Sequence, residues 1–127
     1  MARVVAFIPD LLFGSSVVGA LRAGGHEPVL ASNEESLRAA LADADADADA
    51  LIVDLTFDVP ERIELVRSVR PAGLKTLAFY SHVEADVRDQ GREAGFDVVI
   101  PRSRMAREGV AVLDRLMAGS GDEDPAP

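Results

Sequence analysis

Short apolar runs alternate with longer amphipathic segments along the whole chain. Arg3–Ile8, Pro28–Ala31, Leu51–Val53, Leu74–Tyr80 and Asp97–Ile100 are rich in Val, Ile, Leu and Phe, and each is bounded by polar or turn residues. That pattern predicts buried strands. The segments between them carry apolar residues at helical spacing. Phe13, Val17 and Leu21 share one stripe of a helix over Leu11–Gly24, stopped by Gly24-Gly25. Leu37 and Leu41 mark a second helix, and Ile63, Val66 and Val69 a third that ends before Pro71. A fourth ends near Gly95. Met105, Val112, Leu113 and Leu116 mark the last, over Ser103–Ala118. Three Ser/Asp-x-x-Glu boxes predict helix starts: Ser32-Asn-Glu-Glu35, Asp58-Val-Pro-Glu61 and Ser81-His-Val-Glu84. Pro60 sits early in its helix, where a missing N–H costs little.

Five strand–helix repeats predict an α/β fold with a parallel sheet. Nearly unbroken apolar strands agree, because helices then cover both faces. Right-handed crossovers leave few topologies, and the flavodoxin-like order 2-1-3-4-5 suits a chain of this length. One domain is expected over residues 1–118. The polar, acidic stretch 119–127 is expected to be a disordered tail. The Asp-Ala alternation from Asp43 to Ala50 reads as a helix tail and solvated loop, since Asp and Ala are poor strand formers. As a multi-carboxylate cation site it lacks the Gly and spaced ligands of a calcium loop.

Charge narrows the function. The formal net charge is −9. A nucleic-acid surface needs Lys and Arg to replace phosphate counterions, and an anionic lipid surface needs the same, so neither partner is expected. There is no Cys, hence no disulfide framework and no thiolate metal site. No apolar stretch approaches a membrane span, and no signal peptide opens the chain, so a cytoplasmic protein is expected.

In a parallel sheet the strand ends converge. Val4-Val-Ala-Phe-Ile8 stops at Pro9-Asp10, Leu51-Ile-Val stops on Asp54, and Thr76-Leu-Ala-Phe-Tyr80 stops at Ser81. Asp10, Asp54 and Ser81 therefore share the edge where such sheets bind ligands. With Ala94-Gly-Phe-Asp-Val-Val-Ile-Pro-Arg102 at the fifth strand, these segments resemble the receiver domains of bacterial response regulators, the CheY-like module. The likeness spans about residues 3–118.

The resemblance implies a (βα)5 three-layer sandwich and a set of roles. Asp54 matches the phosphoacceptor, a carboxylate nucleophile that takes a phosphoryl group from a histidine kinase or a small phosphodonor. Ser81 matches the hydroxyl that contacts the phosphoryl oxygens, and Arg102 stands where the family has Lys. The family's metal-binding acidic pair falls on Ile8 and Pro9. Only Asp10, one position on, and Asp54 remain as candidate Mg²⁺ ligands, with the Thr56 carbonyl. The switch aromatic falls on Val99. The small residue after the hydroxyl falls on His82, and Leu55-Thr-Phe-Asp-Val-Pro60 replaces the usual Met-Pro-x-x-Gly loop. The departures cluster at the catalytic edge while the scaffold is kept. They imply an atypical receiver-like module that signals through contact with a kinase, an effector or a second copy of itself, by way of the last helix and its neighbours. A phosphorylatable regulator in a phosphorelay is the alternative.

Each residue also has a plainer reading. Asp54 is a strand-end carboxylate satisfied by backbone N–H groups, and Asp10 an N-cap accepting from Leu12 or Phe13. Ser81 opens a capping box. Arg102, with Arg104 and Arg107, is a surface cation paired with the many carboxylates or an anion clamp. His82 is a loop residue and His26 a turn residue. Of Leu11, Leu12 and Phe13, one is expected in solvent and Phe13 in the core. A flavodoxin-like small-ligand protein is a further alternative, with Phe13-Gly-Ser-Ser16 facing a phosphate. Without Trp and with only Tyr80, a flavin would lack aromatic walls. No Ser/His/Asp or metal–His spacing points to an enzyme.

Overall fold

The computed structural model describes residues 2–42, 47–81 and 86–119. Ten elements alternate: β1 (Arg3–Phe7), α1 (Leu11–Ala23), β2 (Glu27–Ala31), α2 (Glu34–Leu41), β3 (Ala50–Asp54), α3 (Val59–Val69), β4 (Lys75–Tyr80), α4 (Asp86–Glu93), β5 (Val98–Pro101) and α5 (Arg102–Met117). All strand pairs are parallel, in the order β2-β1-β3-β4-β5. The expected architecture and strand order are those observed.

Alternation along the strands divides the core into two layers, because successive side chains point to opposite faces. Val5, Phe7, Leu51, Val53, Ala78 and Val99 pack with α2, α3 and α4 residues such as Leu37, Ile63, Val66 and Val87. Val4, Ala6, Ile8, Ile52, Leu77, Phe79 and Ile100 pack with Val17 and Leu21 of α1 and Val112, Leu113 and Leu116 of α5. Both faces of the sheet are covered, which is why the strands read as nearly continuous apolar runs.

Two of the anticipated capping boxes are corrected. At α2 the cap is Asn33, not Ser32. Its side chain accepts from the Ser36 N–H at 2.8 Å, and the Ser36 hydroxyl oxygen accepts from the Asn33 N–H at 3.1 Å. A Ser thus fills the role that a Glu was expected to fill. At α3, Asp58 precedes the helix but is left-handed (φ 53°) and makes no capping bond with its side chain. Pro60 does lie in the first turn. Of the third box only Ser81 belongs to the described residues; His82, Glu84 and half of the Asp-Ala run (residues 43–46) lie outside them, as does the tail from residue 120.

At the N-terminal pole of the sheet, polar pairs tie the strands. The Asp97 carboxylate accepts from the Thr76 N–H at 2.8 Å and its hydroxyl at 3.2 Å, joining β4 to β5. Asp49 accepts from the Arg3 N–H at 2.8 Å, at the entry to β3. His26 is more than a turn residue, since its Nε2 lies 2.6 Å from the Asp114 carboxylate of α5.

Candidate functional site

The opposite, C-terminal edge gathers the residues singled out in sequence. Phe7 pairs with Val53 and Asp54 with Phe79, so Asp10, Asp54 and Ser81 all lie just past neighbouring strand ends. Tyr80 pairs with Pro101, which brings Arg102 to the same edge at the start of α5. Within that edge the side chains form two separate clusters.

The first cluster surrounds Asp54, which is 2 % exposed. Its Oδ1 accepts from the Thr56 N–H at 2.8 Å and from the Thr56 hydroxyl at 2.6 Å, closing a tight turn after β3. The Arg62 Nη1 stands 3.5 Å from the same oxygen and donates to the Asp54 carbonyl at 2.7 Å. Arg62 is itself only 7 % exposed. Its guanidinium carbon lies 4.4 Å from the centre of the Phe57 ring and 5.9 Å from that of Phe7, so aromatic faces cover a cation already paired with a carboxylate. A buried charge requires such pairing.

Arg62 was missed in the sequence, although a signal was available. Val59, Arg62, Ile63 and Val66 share the buried stripe of α3. An Arg three residues after one core residue and four before another points inward with them. It demands a buried partner, and the strand-end Asp54 is that partner.

The second cluster is Asp10, Arg102 and Phe13. Asp10 caps α1, with Oδ1 accepting from the Leu12 and Phe13 N–H groups at 3.1 Å each. Its other oxygen accepts from Arg102 Nη2 at 3.3 Å. The Phe13 N–H bond and Arg102 hold the Asp10 carboxyl below its ordinary value of 3.8, against a smaller opposing effect of burial. Arg102 also lies over the Phe13 ring, 4.2 Å from its centre, and Phe13 meets Phe79 at 5.1 Å. Arg102 is therefore placed on Asp10, and the cation beside Asp54 is Arg62. Ser81 is half-buried at the end of β4. Leu11 and Leu12 stand in solvent, while Phe13 is half-buried.

These donors are a poor match to Mg²⁺. The positions of the family's acidic pair hold Ile8, fully buried, and Pro9. Asp54 already has a guanidinium 3.5 Å from its Oδ1, and a second cation a few ångströms from the first in a buried site is repelled by on the order of several kcal/mol. Asp10 is committed to a helix cap and to Arg102. Among the described residues no group of three acidic or His side chains converges.

The position of the family's switch aromatic is equally altered. Val99 is fully buried, and α4 approaches it through Gly91, where an added Cβ would lie 3.1 Å from a Val99 methyl. The helix fills the space beside β5 that a ring would need.

No protein-family model and no curated protein matches the chain. Solved structures do. A response regulator from Thermotoga maritima superposes with a TM-score of 0.80 at 19 % identity, over 93 % of this chain and 98 % of that one. A response regulator receiver protein from Burkholderia phymatum gives 0.80 at 18 % identity, over 100 % and 99 %. A CheY-like receiver domain protein from Methanospirillum hungatei gives 0.78 at 15 %, over 94 % and 95 %. The chain has the CheY-like receiver fold along its whole described length. At such identities it is the fold that is shared. No helix among the described residues is long and apolar enough to cross a membrane.

Proposed function

We propose that this chain is an atypical receiver-like signalling module, cytoplasmic and non-enzymatic, which works through contact with a kinase or an effector protein without Mg²⁺-dependent phosphorylation of Asp54. The observation that carries this reading is the occupancy of the Asp54 carboxylate by its own chain. Thr56 saturates one oxygen, Arg62 neutralises the charge, and Phe57 stacks over Arg62. A nucleophile must reach phosphorus with a free lone pair and a metal to offset charge on the transferring group. Here the lone pairs of Oδ1 are engaged and the offsetting charge is a fixed guanidinium. The scaffold is retained, and its helical faces are where a partner would be met.

The test is incubation of the protein with Mg²⁺ and acetyl phosphate, followed by intact mass measurement. No phosphoryl increment is expected for the wild type. An increment that disappears in Asp54→Asn would instead make the chain a phosphorylatable regulator. An Arg62→Ala arm asks whether the guanidinium is the block.

A further inference from the structure

Helix α1 has an uncharged solvent side up to its last turn, where Arg22 is exposed. From Leu11 to Leu21 it carries no Asp, Glu, Lys or Arg, whereas the other helices are studded with them. Leu12 is 87 % exposed and Leu11 65 %. Below them Ser15, Ser16, Gly19 and Ala20 are exposed as well. Large apolar side chains placed fully in water on a neutral face mark a contact surface.

Beside this face α1 and α5 flank a largely apolar groove of about 310 Å³, lined by Phe13, Ser16, Ala20, Met105 and Val110 together with the charged Arg107 and Glu108 of α5. Leu12 lies one turn before Ser16, and Ala20 one turn after, on a single line of the helix. The projecting Leu12 and the groove wall at Ala20 thus belong to one surface, displaced along the helix by about 12 Å at 1.5 Å per residue. A ridge and a groove so related become complementary under a two-fold rotation. Two α1 helices crossing antiparallel at Ser16 place each Leu12 over Ala20 of the other copy.

Charge selects a second copy as the occupant. At a net charge of −9, two copies repel over most of their surfaces. From Leu11 to Leu21 the α1 face carries no charge, and on the α5 side of the groove Arg107 and Glu108 offset each other. We propose that this face is a homodimer interface in which Leu12 of each copy seats in the α1–α5 groove of the other. The proposal does not depend on whether Asp54 is modified.

The test is sedimentation velocity on the full chain from about 1 µM to about 1 mM, the range that spans weak and moderate association. A monomer–dimer equilibrium is expected. Leu12→Glu should weaken it about tenfold or more, as loss of a central anchor does. Gly19→Gln should weaken it too, although a Cβ at Gly19 meets nothing within 4 Å in the single chain. Circular dichroism should show both variants folded. Because the chain has no Cys, Ser16→Cys should cross-link rapidly under mild oxidation, whereas the control Ser68→Cys, on exposed α3 surface, should not. A monomer at every concentration would overturn the proposal. So would a dimer indifferent to both substitutions, or equal cross-linking at Ser68.

Discussion

Arg62 reaches Asp54 twice: its Nη1 donates to the main-chain carbonyl at 2.7 Å and stands 3.5 Å from the carboxylate of the same residue. Both side chains are almost wholly buried. Removing one member of a buried pair leaves the other as an uncompensated charge, at a cost of about 3–5 kcal/mol. Arg62→Met is therefore expected to lower stability by that amount in urea denaturation. Asp54→Asn combined with Arg62→Met should cost less than the sum of the single changes, and the double-mutant cycle measures the coupling.

Phe57 is half in solvent, at 53 % exposure, yet it stacks on this cation at 4.4 Å. An exposed Phe has little reason to be held by burial alone. Phe57→Ala is expected to cost about 0.5–2 kcal/mol. Phe57→Leu should recover the apolar cover without the ring's attraction for the guanidinium. Equal stability of the Leu variant and the wild type would show that the ring contributes nothing of its own.

Val99 and Gly91 define the room beside β5. Val99→Tyr would force a ring into a space already closed by α4, and overpacking of this kind costs about 1–3 kcal/mol. The expected result is a lower melting temperature, partly relieved where α4 shifts outward. A Tyr variant as stable as the wild type would mean that a rotating aromatic could be accommodated after all.

Asp10 predicts a pH effect. Its folded-state pKa is depressed, chiefly by the Phe13 N–H bond and by Arg102. Its contribution to stability is thus complete above the unfolded value near 3.8 and is lost as pH falls through the lower folded value. Asn caps helices as well as Asp but pairs with no cation. The stability difference between wild type and Asp10→Asn should be constant above about pH 5 and shrink below about pH 3.8. Denaturation series across that range measure it, the other carboxylates cancelling in the difference.

The sheet was legible because five β-branched runs separated by amphipathic stripes leave one economical topology. The edge position of Asp10, Asp54, Ser81 and Arg102 followed from strand direction alone. The partners did not follow. The resemblance puts Arg102 at the family's Lys position on this edge, but its side chain is drawn to the Asp10 cap and the Phe13 ring. An Arg in a helix ordinarily reads as solvated, and only its place on the Val59–Val66 stripe marks Arg62 as buried. Caps erred in the same way. Ser32 and Asn33 are both good capping residues, and only the Ser36 hydroxyl decides between them. Asp58 took a left-handed backbone instead of capping, which the Asp-x-x-Glu spacing does not reveal. A helix that starts at Asp10 implies one exposed apolar residue in its first turn; both Leu11 and Leu12 are exposed, and Phe13 is only half-buried.

The guanidinium beside Asp54 is covalently part of the chain, so this carboxylate's counter-charge cannot be dialysed away, chelated or outcompeted. Thermal denaturation with and without EDTA, or with added MgCl₂ at fixed ionic strength, is expected to give one and the same midpoint. On the proposed reading this edge holds a single poise whatever ions or phosphodonors surround it, and output is set by how many molecules are made and which of them have met.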